Sequence, residues 1–120
     1  MGRQILLTVE GDAPLRDDIW YEVSVAKLSV LKRLQHAEVT IQHGKGEQEG
    51  RRHVVHLSLP IRHQGMTAEF FQACGFTVAQ GTTIRPAEAV GKTLDVRFRL
   101  DGDGGAVASS FRTHDQERTQ

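Results

Sequence analysis

Cysteine is nearly absent from this chain: Cys74 is the only one in 120 residues. No intramolecular disulfide can form, which excludes a small secreted domain held together by disulfides and makes a reducing, cytoplasmic setting the expectation. An excess of one charge is also missing, because Lys+Arg and Asp+Glu both number 15. Binders of polyanions usually carry a basic surplus, so any nucleic-acid site here has to be a local patch with the acids held elsewhere. Long hydrophobic runs are lacking too, and nothing approaches the roughly 20 apolar residues that cross a bilayer. The stretch Ile5–Val9 is interrupted by Thr8 and closed by Glu10, too short for a secretory signal. Leu6 stands where a myristoylation signal has Ser or Thr. No membrane partner is expected.

Catalytic motifs are the last absence. Gly91-Lys92-Thr93 resembles the end of a phosphate loop, but the spacing requires glycine where Pro86 stands. The Asp101–Gly105 run lacks the further acidic ligands of a calcium loop and suits a turn. The six histidines, His36, His43, His53, His56, His63 and His114, are read as solvated. His53 and His56 fall on opposite faces of one strand and cannot converge on a metal. Cys74 lies on the apolar side of a short helix signal and reads as a buried, inert thiol. No enzyme activity, metal or cofactor is expected.

What remains is a clear pattern of strands in a chain of 38% hydrophobic and 25% charged residues, ordinary for one globular domain. Trp20 to Leu31 alternates with Tyr21, Val23 and Val25 on one face. The apolar parity then passes to Leu28 and Val30, which demands a bulge near Ala26-Lys27 because a regular strand keeps strict period two. Ala37, Val39 and Ile41 form a second strand, followed by the polar, glycine-rich segment 43–50, expected to be mobile. Arg52 to Leu59 forms a third strand, with Val55, Leu57 and Leu59 inward, and Pro60 ends it. A helix is predicted from Met66 to Cys74, with Thr67 as its cap and Gly75 at its left-handed end, and a further turn at Pro86–Ala89. Leu94, Val96, Phe98 and Leu100 mark the clearest strand, with Asp95, Arg97 and Arg99 outward. Ala106 to Phe111 completes a hairpin. Ile5 to Glu10 suggests an extra N-terminal strand, and the chain divides into a single domain over 1–112 and a flexible polar tail over 113–120.

Three strands, a helix and two strands is the order of a five-stranded OB-like barrel with one short helix between strands 3 and 4, a fold commonly used to hold single-stranded nucleic acid. Arg97 and Arg99 would form an outward basic row, Arg51 and Arg52 would lie where a loop enters a strand, and Lys92 would stand at the mouth of another. Trp20 and Tyr21 are adjacent, so one of them faces out, and Trp20 is the candidate stacking platform. The competing reading treats these cations as solubilising charge on an interaction module.

Four segments taken in order, Trp20–Leu28 (WYEVSVAKL), Glu49–Arg52 (EGRR), Phe70–Gly75 (FFQACG) and Val90–Phe98 (VGKTLDVRF), resemble a phage-associated family of small proteins similar to single-stranded-DNA-binding proteins. The resemblance implies an OB-like fold, a setting in phage or mobile-element replication and recombination, and phosphate contacts from Arg51, Arg52 and Lys92. It implies no catalytic residue. The chain departs from that family's pattern in lacking an Asn-Pro segment before the helix, in its N-terminal strand, and in a tail without an acidic, apolar tip. Single-stranded DNA, or RNA, is the expected partner. A homo-oligomer is expected from the spare strand edge.

Overall fold

A computed structural model describes residues 14–101 and 105–114. The N-terminal strand expected at Ile5–Glu10 and most of the expected tail lie outside these residues. Five strands form one antiparallel sheet: β1 (Tyr21–Leu31), β2 (His36–His43), β3 (Arg52–Ser58), β4 (Thr93–Leu100) and β5 (Ala106–Thr113). One helix, α1 (Met66–Ala73), lies between β3 and β4, and short 3-10 turns stand at Lys32–Leu34 and Pro86–Ala89. The fold is mainly β, as the alternation predicted.

The strand order is β3-β2-β1-β4-β5. β1 sits at the centre because it is long enough to pair with two partners, with β2 over Val23–Leu31 and with β4 over Tyr21–Ser24. Its register against β2 slips between Val25 and Lys27, the bulge that the switch of apolar parity demanded. A second irregularity, between Arg97 and Phe98, leaves Ser109 of β5 without a partner in the ladder. Its hydroxyl donates to the Arg97 carbonyl instead (3.1 Å).

The sheet curls strongly. β3 and β4 are three inter-strand steps apart, about 14 Å on a flat sheet, yet the rings of His53 and Phe98 meet at 4.7 Å. Closure is not complete: β3 and β5 are the edges of the sheet and do not pair. The sheet is therefore open and curled, and the strands do not close into the expected barrel. α1 packs on β5 and touches β3. Phe70 meets Phe111 edge-on at 5.4 Å, and Phe70 and Phe71 are fully buried, each worth roughly 1.5–3 kcal/mol.

The ends of α1 divide expectation from observation. The backbone N–H of Gly75 donates to the Gln72 carbonyl (2.9 Å) and that of Phe76 to the Phe71 carbonyl (3.0 Å), with Gly75 at φ 100°. This is a Schellman stop, and its usual apolar clasp is present as the Phe71–Phe76 ring contact at 5.7 Å. The start is different, because Gly65 occupies the cap position. Thr67 lies inside the helix and its hydroxyl donates to the Ser58 carbonyl (2.8 Å). It ties α1 to the end of β3 rather than capping its own N–H groups.

Three further corrections concern burial and bounds. Leu100, expected inward, is exposed, while Asp95, expected outward in water, is buried. β2 continues to His43, which is buried, and the following segment is held by paired backbone bonds, His43 N–H to the Arg51 carbonyl (2.8 Å) and Gly50 N–H to the His43 carbonyl (3.0 Å). β5 continues through Thr113, two residues beyond the expected strand and one into the expected tail. Pro60 follows the end of β3 as predicted, and Pro86 opens its 3-10 turn. Among the described residues no helix is long and apolar enough to cross a membrane.

Candidate nucleic-acid interface

The outer surface of the sheet consists of two regions that meet along the N-terminal half of β1. The first comprises β1 beyond its bulge, β2, β3 and the Lys32–Leu34 turn. The register sets its side chains in cross-strand rows, Lys27 beside Thr40 beside Val54, and Ser29 beside Glu38 beside His56. Arg52 stands opposite Gln42 and donates to its Oε1 (2.8 Å). Lys27, Lys32, Arg33 and Arg52 face a single carboxylate, Glu38, so this region carries an excess of three positive charges. Val54 is 57% and Leu34 68% exposed, giving apolar surface between the cations.

The second region comprises β4, β5 and the segment 14–20. Its cations are matched by acids and largely engaged. Arg112 Nε donates to Asp95 Oδ2 (3.1 Å), and its guanidinium lies 4.4 Å from the centre of the Trp20 ring. Arg97 donates to the Asp17 carbonyl (3.2 Å) and lies 5.6 Å from the same ring. His114 places Nδ1 2.7 Å from Asp95 Oδ1 and Nε2 2.9 Å from Glu22 Oε1, an arrangement in which both nitrogens donate only when the ring carries two protons. This explains the burial of Asp95, since the carboxylate is closed over by Arg112 and His114. Arg16 and Asp18 form a further pair at 2.7 Å. The hydrogen bond from Arg16 holds the Asp18 carboxyl below its ordinary range, and the same bond raises the Arg16 guanidinium.

The six residues singled out by sequence therefore fall into separate groups. Arg52 belongs to the first region, and Arg51 lies at its rim, donating to Gln48 Oε1 (2.8 Å). Trp20, Arg97 and Arg99 belong to the second region, where Trp20 is covered by Arg112 rather than presented as a bare platform. Lys92 stands apart at the start of β4, its carbonyl accepting from Val25 N–H (2.9 Å). Beneath it, Cys74 is buried as predicted, and desolvation pushes its thiol up to about 12, with Lys92 opposing.

Sequence reasoning missed three features. Lys27 joins Arg52 on one face, a grouping that strand pairing reveals and linear order does not, and Lys32 and Arg33 stand exposed in the turn that joins β1 to β2. His43 and His53 are not solvated: their Nε2 atoms lie 3.0 Å apart in a ring cluster with Tyr21 and Phe98. His36 and His56 flank Glu38 on the outer face, each placing a ring nitrogen 3.9 Å from Glu38 Oε1. His53 and His56 do face opposite ways, but His56 finds its neighbours on β2.

Comparison with models of protein families gives no match, and comparison with curated proteins gives none either. The likeness to the phage-associated family accordingly rests on the four short segments alone.

Proposed function

We propose that this chain is a non-catalytic binder of single-stranded nucleic acid, using the outer face of β1–β2–β3 and the Lys32–Leu34 turn. The observation that carries the reading is the local positive excess on that face in a chain of zero net charge. Lys27, Lys32, Arg33 and Arg52 are suited to phosphates, while Val54, His36 and His56 offer apolar and ring surface to bases. The element order supports the same conclusion. A central β1 paired to β2 and β4, with a helix between β3 and β4, is the arrangement of a partly open OB barrel, whose strands 2 and 3 and the loop joining strands 1 and 2 form the usual binding surface. The phage or mobile-element setting implied by the four segments belongs to this proposal.

The experiment is a titration with a fluorescent single-stranded oligonucleotide across a range of salt. Binding whose log affinity falls by about 0.7 per phosphate contact for each tenfold rise in salt is expected. The exposed edges β3 and β5 favour a second reading, a self-associating or partner-binding module. Absence of oligonucleotide binding at low salt, with a concentration-dependent increase in mass, would select that reading instead.

A further inference from the structure

We propose that His36, Glu38 and His56 form a binding site for a first-row divalent transition ion such as Zn2+, with water completing the coordination. All three side chains lie on the outer face of two paired strands. Glu38 stands directly opposite His56 in the ladder, and His36 is two residues from Glu38 along β2. The candidate ligand atoms lie within 4.8 Å of one another, with both nitrogen-to-carboxylate distances at 3.9 Å. A tetrahedral ion with bonds near 2.0–2.1 Å sets its ligands about 3.4 Å apart. Closing the two measured gaps takes about half an ångström each, within reach of small side-chain rotations on a fixed backbone.

The chemistry of the set points the same way. Two imidazoles and one carboxylate suit zinc and its neighbours, whereas calcium and magnesium require all-oxygen shells. At 3.9 Å the three groups do not hydrogen-bond to each other, and among the described residues none of them hydrogen-bonds to another side chain. Nothing has to be broken for an ion to enter. Three protein ligands leave a coordination position for water. The site lies within the face assigned above to nucleic acid, but its argument rests on ligand geometry alone.

The test is isothermal titration of the full chain with Zn2+ in the absence of nucleic acid, repeated with Co2+ under visible absorption. One saturable equivalent is expected, and His36→Ala and His56→Ala should each weaken it by at least about tenfold, since even loss of an outer supporting partner costs 10–100-fold. His63→Ala, an exposed histidine on another part of the surface, should change nothing. The Co2+ complex should absorb in the visible without the thiolate band that Cys74 would produce, a readout that needs no variant. No saturable binding, binding unaltered in both His→Ala variants, or a thiolate band would overturn the proposal.

Discussion

The two outer regions of this sheet are built from the same alternation and use the same cations, yet they differ in what those cations do. On β4–β5 and the segment 14–20, Arg16, Arg97, Arg99 and Arg112 stand among Asp17, Asp18 and Asp95, with Glu22 of the adjoining β1 a fourth acid reached through His114. Most are engaged: Arg112 and His114 close over Asp95, Arg97 reaches a backbone carbonyl, and Arg16 holds Asp18. On β1–β2–β3, Lys27, Lys32, Arg33 and Arg52 have one carboxylate among them. The difference teaches that an outward arginine row does not by itself leave charge unbalanced, because neighbouring acids can consume it. The β4–β5 region holds the fold together. The β1–β3 region carries its positive charge with one carboxylate to balance it.

The largest expected effect breaks both regions at once. Val96 is fully buried on β4 opposite Tyr21 of β1, the strand along which the two regions meet, and Val96→Asp would place an unpaired carboxylate there. More than about 4 kcal/mol should be lost, enough to unfold a marginally stable domain, and circular dichroism should show the loss of β signal. The next effect is confined to the second region. Asp95 is 8% exposed, and Asp95→Ala removes the shared acceptor of Arg112 and His114, so a loss of about 3 kcal/mol is expected in urea unfolding, at the low end for a buried pair because Arg112 regains water. Glu38→Gln on the first region should cost less than about 0.5 kcal/mol. Comparable costs for the two would break the comparison.

A calibration comes from Cys74, which belongs to neither region. Its native thiol is pushed up to about 12, against about 8.5 for a free thiol. Between these values the unfolded chain has lost a proton that the native chain keeps, so stability falls as pH rises through the window. At pH 10 the loss is at most about 2 kcal/mol. Cys74→Ala should flatten the fall between pH 9 and 11, and a thiol reagent at pH 8 should label the wild-type protein only upon unfolding. A small effect is also expected of Arg97→Ala. This half-exposed cation has one backbone hydrogen bond and a distant ring contact, and less than about 1 kcal/mol is expected in a thermal melt.

Much of the scaffold was legible in the sequence because one-dimensional period reports which face a residue occupies. The parity switch after Val25 located the bulge, and Gly75 located the end of α1. What the period does not report is tertiary cover. Asp95 occupies the outward parity as predicted but is buried because Arg112 and His114, 17 and 19 residues away, fold over it. Thr67 has the right chemistry for a cap, yet its hydroxyl finds the Ser58 carbonyl first. The candidate site was only partly legible for the same reason. Arg52 was found from its local motif, whereas Lys27 joins it only once β1, β2 and β3 are set side by side. His36 and His56, 20 positions apart in sequence, become neighbours through the β2–β3 register.

The most direct measurement compares two charge-reversal pairs, Arg33→Glu with Arg52→Glu and Arg97→Glu with Arg99→Glu, in single-stranded oligonucleotide titrations over a range of salt. The account predicts that the first pair lowers affinity steeply and reduces the slope of log affinity against log salt by about 1.4, two contacts at about 0.7 each, with its melting temperature near that of the wild type. The second pair should leave that slope within about 0.7 of the wild-type value. A flattened slope in the second pair with an unchanged slope in the first would contradict the account and place the binding surface on β4–β5.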